Sequence, residues 1–256
     1  MCGRMTQQTD PAVIGEIFDA EVRDADEPFR PRYNVAPTDV VTVVLQRDEG
    51  RMVERIRWGL IPSWAKKASE GARMINARAE TVASSPAFRV SFAKRRCILP
   101  ADGFYEWDRT GGAKQPYLLR PPEDGVLAMA GLWAVWKDPA TGLWVPSVAV
   151  ITTRANATVG AIHDRMPVLL ARDAWARWLD PAVADPAELL GLLVPAPEDV
   201  LAMMPVSKAV NSVRNDGPEL LLPLAELPVP ATPVAPAAPA APAAGPARPT
   251  QGTLFD

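Results

Sequence analysis

From Pro228 to Pro249 the chain is built almost wholly of Pro, Ala, Val, Thr and Gly, and Arg248 is its single charge. Eight of the chain's 28 prolines fall in this stretch. Proline has no N–H for a β-ladder and breaks the interior of a helix, so these residues build neither a sheet nor a helical core. They read as a semi-extended linker that spans at most roughly 70 Å at polyproline pitch. Folding is thereby confined to residues 1–227, a length that suits one large domain. A short terminal peptide, residues 250–256, follows the linker.

The composition bounds the function classes. With 48% hydrophobic residues the chain can bury a sizeable core. The 27 Lys and Arg stand against 30 Asp and Glu, so a strongly basic nucleic-acid binder is excluded and any nucleic-acid surface is a local patch. No apolar run approaches the ~18–20 residues of a membrane span, and no apolar stretch follows Arg4 to make a signal peptide. A cytoplasmic protein with no membrane partner, monomeric, is the expectation. Two cysteines, Cys2 and Cys97, and one histidine, His163, exclude a disulfide framework, a four-cysteine zinc site and a multi-histidine metal site. No metal or other cofactor is expected.

Within residues 1–227 the pattern is mostly that of strands. Val40–Leu45 is short and β-branched, and Val53–Leu60 alternates apolar with charged residues. Cys97–Pro100, Phe104–Trp107, Pro116–Leu119, Val126–Trp136 and Trp144–Thr153 read the same way. A helix is predicted after Asp10, which can cap it, with Pro11 at its first position and Val13, Ile14, Ile17 and Phe18 on its apolar face. Ala171–Leu179 is predicted as a second helix and Glu198–Met203 as a weaker one. Many strands with few strand–helix–strand alternations favour an α+β domain over a doubly wound sheet.

Four places could carry chemistry. Cys2 follows the start methionine, and trimming of Met1 is expected to leave a 1,2-aminothiol. Its amine has a reference pKa of ~7.7–8.0, so part of it is uncharged and nucleophilic near neutrality. Such an amine forms an imine with an aldehyde, and the neighbouring thiol closes a five-membered thiazolidine in a favoured intramolecular step. In Met74–Glu80 the polar Asn76, Arg78 and Glu80 recur at every second position and share one face of an extended strand; the plain alternative is a solvated face. Glu106 lies among Phe104, Tyr105 and Trp107, where desolvation would fit it to proton transfer. His163 precedes Asp164, Arg165 and a proline turn, and imidazole exchanges protons at physiological pH. Cys97, in an apolar strand, reads as a buried core thiol. Trp64 and Trp107 stand beside polar motif residues and could be stacking platforms for bases.

Seven segments, in order, resemble one family: MCGR at 1–4, RYNVAPT at 32–38, WGLIPSW at 58–64, INARAET at 75–81, ADGFYEW at 101–107, IHDRMP at 162–167 and PVSKAVNSVRNDG at 205–217. They are similar to the SOS response-associated peptidase family, whose members are abasic-site processing proteins. The resemblance implies a β-rich single domain of antiparallel sheets with a barrel-like core, peripheral helices and a basic DNA channel on one face. It also implies binding of single-stranded DNA and a covalent link to the ring-opened aldehyde of an abasic site. On this resemblance Cys2 matches the nucleophile, Glu106 the acid beside the amine, His163 the proton-transfer histidine and Asn76 an orienting amide. Arg4, Arg78 and Arg165 match phosphate contacts, Thr152 a site threonine and Trp107 an aromatic beside the nucleotide. Weak lyase activity through the imine and N-terminal self-processing are further implications. Two positions depart from some relatives: Ala65, where a second tryptophan can follow Trp64, and Met204, where a histidine can stand.

Two other readings share the same N-terminus. An N-terminal nucleophile amidohydrolase also begins Met-Cys-Gly, and a cysteine peptidase would pair Cys2 with His163. The downstream motifs argue against the first. In the terminal peptide, Gln251, Leu254 and Phe255 resemble the Gln-x-x-Leu-Phe peptides that dock in bacterial sliding clamps, and the linker before them would act as a tether.

Overall fold

The computed structural model describes residues 2–23, 25, 28–108 and 114–226. Met1, the linker and the terminal peptide with Gln251, Leu254 and Phe255 lie outside the described residues. The strands are β1 (Met5–Gln7), β2 (Glu21–Val22), β3 (Arg32–Val35), β4 (Val40–Arg47), β5 (Gly50–Trp58), β6 (Asn76–Arg78), β7 (Arg96–Ala101), β8 (Gly103–Asp108), β9 (Gln115–Arg120), β10 (Leu127–Lys137), β11 (Trp144–Arg154), β12 (Arg165–Pro167) and β13 (Ala202–Pro205). Five short helices accompany them: α1 (Pro11–Phe18), α2 (Arg89–Lys94), α3 (Ala157–Gly160), α4 (Trp175–Leu179) and α5 (Pro186–Gly191). None of the described helices is long and apolar enough to cross a membrane.

Five strands close on themselves. β5 pairs with β4, β4 with β7, β7 with β10 and β10 with β11, all antiparallel. β11 then returns to β5 in parallel, with Ser147 opposite Arg57 and Val148 opposite Trp58. A second, five-stranded antiparallel sheet runs β13-β9-β8-β1-β3. The fold is thus the β-rich α+β domain with a barrel core that the motifs implied.

The two-residue period of each barrel strand divides its side chains between two cores. Val43 and Leu45 of β4, Cys97 and Leu99 of β7, and Val148 and Val150 of β11 belong to one; Val44, Ile98, Ala149 and Ile151 belong to the other. The second core also holds Ile14 and Phe18 of α1, Phe92 of α2 and Trp178 of α4. The helices α1, α2 and α4 pack on the second core, which is the barrel's outer face, and the first core is its interior. Met5, Val35, Phe104 and Leu119 of the second sheet pack against that interior. Gly131 of β10 keeps the barrel closed: a Cβ there would fall into the Leu99 side chain and 2.9 Å from Cys97 Sγ.

Local chemistry sets the helices. The Asp10 carboxylate accepts from Ala12 N–H at 2.8 Å, and Pro11 opens α1. Arg96, 2% exposed, donates to Trp178 O at 2.7 Å and to Phe92 O at 2.8 Å, so one buried guanidinium holds both α2 and α4 to the barrel.

Three sequence expectations need correction. Ala171–Leu179 is not one helix but a 3-10 turn, Arg172–Ala174, running into α4. Glu198–Met203 is a single 3-10 turn, Glu198–Val200, followed by β13. There the chain pairs Met203 with Leu119 of β9 and completes the second sheet, and tertiary pairing overrides a weak helical preference. Glu80 does not share a strand face with Asn76 and Arg78, because β6 ends at Arg78.

Candidate active site

β5 and β6 occupy successive stretches of the same β11 neighbourhood: Trp58 lies opposite Val148, and Asn76 opposite Val150. Between them the chain makes an excursion, residues 59–75. Its neck is pinched where Gly71 meets Gly59; a Cβ on Gly71 would lie 2.5 Å from Gly59 O. Trp64 rides on this excursion with a relative exposure of 56%. The excursion packs on Trp136, whose indole N–H donates to Ala65 O at 2.7 Å. Its return delivers Asn76 and Arg78 beside Val150 and Thr152 of β11.

Asn76 meets the chain start. Its Nδ2 donates to Cys2 O at 2.8 Å. Cys2 is fully buried, and desolvation pushes its thiol well above the ordinary range; the Glu106 carboxylate adds to the rise and a backbone hydrogen bond to Arg4 opposes it. Glu106, on β8, is itself 2% exposed. The partner strand β1 sets this arrangement: Met5 lies opposite Phe104, and Tyr105 N–H donates to Arg4 O at 3.0 Å.

Arg4 is built into the protein rather than left in solvent. Its Nη1 donates to Asn34 Oδ1 at 2.6 Å and to Val210 O at 2.8 Å, and its guanidinium lies 5.8 Å from the Trp107 ring centre. Trp107 Nε1 donates to Asn211 Oδ1 at 2.7 Å. Residues 207–217 therefore belong to the wall of the site. They are locked to β3 by Asp216, whose carboxylate accepts from Tyr33 N–H at 2.6 Å, Asn34 N–H at 2.8 Å and Arg32 Nε at 2.5 Å. The Asn34 amide donates back to Asn215 O at 2.7 Å.

A third group gathers on β11 and β12. His163 Nδ1 lies 3.0 Å from Arg165 N–H, 3.2 Å from the Asp164 carboxylate and 3.3 Å from Arg165 O. The Arg165 guanidinium donates to Thr152 O at 2.7 Å and forks onto Glu80, at 2.5 Å to Oε1 and 2.9 Å to Oε2. Arg154 lies directly opposite Arg165, and Arg78 opposite Thr152. The His163 loop is fixed by α3, where the Glu198 carboxylate accepts from Ala157 and Thr158 N–H at 2.8 and 2.9 Å.

The structure thus brings Cys2, Asn76 and Glu106 together, sets Arg4 on Trp107, and groups Thr152, His163, Arg165 and Arg78. Trp64 makes no hydrogen bond or ring contact with any of them. Sequence reasoning missed Asn34, Asp216 and Glu198. Only their motifs, RYNVAPT for Asn34 and PVSKAVNSVRNDG for Asp216, signalled the first two. Among the described residues no three His, Cys, Asp or Glu side chains converge as a metal site would need. Asn76 Oδ1, Arg4 Nε and Arg165 Nε are buried and have no hydrogen-bond partner in the protein.

The closed barrel and the residues gathered at its rim define a member of a known class: residues 1–213 match the family model of the SOS response associated peptidase (SRAP), and the chain belongs to that family. It is 39% identical over 222 residues to the abasic site processing protein YoqW of Bacillus subtilis, covering 86% of this chain and 99% of that protein. It is 36% identical over 233 residues to the abasic site processing protein HMCES of Gallus gallus, covering 79% and 68%. A crystal structure of a protein from Bacteroides thetaiotaomicron superposes with a TM-score of 0.77 at 25% identity, over 86% of this chain and 98% of that one.

Proposed function

We propose that this domain captures abasic sites in single-stranded DNA by joining Cys2 to the ring-opened sugar. One observation carries the reading. At residue 2 the Asn76 amide holds the Cys2 carbonyl at 2.8 Å and the Glu106 carboxylate acts on its thiol, so an orienting amide and an acid converge on one residue. The printed names of the relatives, abasic site processing proteins, point to an abasic site as the ligand.

After removal of Met1, the Cys2 amine attacks C1′ of the aldehyde. A C–N bond forms, the carbonyl oxygen leaves as water, and an imine results. The thiol then adds across the C=N bond, with sulfur going to carbon and its proton to nitrogen, and the thiazolidine closes. Glu106 moves the protons of carbinolamine formation and water loss. Asn76 holds the Cys2 carbonyl so that amine and thiol face one carbon. His163 exchanges a proton with the ring-opening hydroxyl. Arg78 and the arginines near it meet phosphates.

Mass spectrometry after mixing the protein with abasic single-stranded DNA tests this. The expected species is the chain without Met1 plus the oligonucleotide minus one water, attached at residue 2. A denaturation-stable adduct from Cys2→Ala would overturn the nucleophile. Strand scission by elimination from the imine would be a side path; its absence leaves the crosslink intact. The tail is assigned to clamp docking, and equal clamp retention by a chain lacking residues 250–256 would end that assignment.

A further inference from the structure

We propose that Glu80 is an internal stand-in for a DNA phosphate, seated on Arg165 and displaced when the strand binds. The inference rests on the DNA-binding reading above. The Glu80–Arg165 pair is a fork, with both carboxylate oxygens taking one guanidinium, and this is also the geometry in which a phosphate is held. The two partners differ in exposure. The Arg165 side chain is 13% exposed and the Glu80 side chain 47%, so the acid forms the solvent side of the pair. A phosphate reaching Arg165 from solution meets Glu80 first.

The surroundings are those of an anion site already filled. Arg154 and Arg165 face each other across β11 and β12, and Arg78 on β6 pairs with Thr152, two residues along β11 from Arg154. Glu80 follows β6 in the turn after Arg78. Hydrogen bonding to Arg165 holds its carboxyl below the usual range, with smaller help from the charges of Arg165 and Arg154. Arg165 has a second hold that does not depend on Glu80, the bond from Nη2 to Thr152 O, and its N–H positions His163. The arginine can therefore exchange one anion for another without releasing the histidine. Glu80 stands half in solvent on its side of the pair, so water can take over its carboxylate when it leaves and the exchange stays reversible.

Displacement frees a carboxylate that recruits a cation from solution, and this offsets part of the counterion release on binding. A double-mutant cycle on undamaged oligothymidylate reads it. Glu80→Gln should bind about two- to fivefold tighter at low salt, and its slope of log K against log salt should steepen by roughly 0.7. Both gains should vanish in the Arg165→Gln background. Should that variant not fold, Arg165→Lys, which keeps the charge but loses the fork, should shrink them. Weaker binding by Glu80→Gln, or an equal gain with and without Arg165, would overturn the inference. The capture reading is scored separately: wild type that binds the oligonucleotide but forms no adduct with abasic DNA defeats capture and leaves the cycle readable.

Discussion

Cys2 and Cys97 share one core, and each is fully buried with a thiol that desolvation pushes far up. Around Cys97 the company is apolar: it faces Gly131 across β7 and β10 and neighbours Leu99. Its carbonyl accepts from Trp178 Nε1 at 2.8 Å. Around Cys2 stand the Asn76 amide, the Glu106 carboxylate and the Arg4 backbone. Equal burial therefore does not mean equal use. Desolvation alone makes an inert thiol; under the proposed function, the carboxylate and amide beside Cys2 give it a different use.

The sharpest break of this comparison removes one thiol at a time. Cys2→Ala should abolish the denaturation-stable adduct with abasic single-stranded DNA on a gel. Cys97→Ala should leave the adduct rate within about twofold while costing about 1–2 kcal/mol in urea unfolding, the loss of one buried side-chain atom. Reversed results would assign the catalytic sulfur to Cys97.

Next comes the amide. Asn76→Ala removes the hold on the Cys2 carbonyl, and misplacement of a reacting group by an ångström can cost two orders of magnitude. The adduct rate should fall about 10–100-fold, with stability lowered by only about 1 kcal/mol. An unchanged rate would show that β1 and β8 hold the chain start without it.

Alkylation compares the two thiols directly. Both pKa values are raised, so the reactive thiolate appears only above the ordinary cysteine range, and reactivity stays low through neutral pH. In native protein that retains Met1, iodoacetamide should modify both cysteines at least about tenfold more slowly than in denatured protein. Peptide mapping reads the two sites separately. A fast native Cys97 would contradict the barrel interior.

What the sequence made legible follows from the range of each signal. Helix α1 was readable because Asp10 and Pro11 act on their own neighbours. The β4, β7 and β11 strands were readable because β-branched runs bear a local period. Glu198–Met203 misled because its strand exists only by pairing with β9, some eighty residues away in the chain. Barrel closure was legible only through the family resemblance: the β5–β11 pairing rests on Arg57, Trp58, Ser147 and Val148, none of which by itself marks a partner. In the site, Cys2, Asn76, Glu106 and His163 stood out by their chemistry and motifs. Asn34 and Asp216 did not, since each works by binding backbone groups far along the chain. Glu80 was legible as a charge but not as the partner of Arg165.

The smallest chemical effect should come from the wall behind Cys97. Gly131→Ala places a methyl group against the Leu99 side chain and 2.9 Å from Cys97 Sγ, and Ala149 O lies 3.2 Å away on β11. The Ala149 carbonyl and the buried Leu99 and Cys97 side chains leave little room to yield, so the added carbon acts as overpacking, at a cost of about 1–3 kcal/mol. That loss should appear as a lower urea midpoint with an unchanged slope. The adduct rate at a temperature where the variant is folded should match wild type, because β10 contributes no side chain to the Cys2–Asn76–Glu106 group. A slowed adduct rate in fully folded Gly131→Ala would mean that the barrel interior and the rim are mechanically coupled, and that the separation between the inert and the reactive cysteine is one of degree.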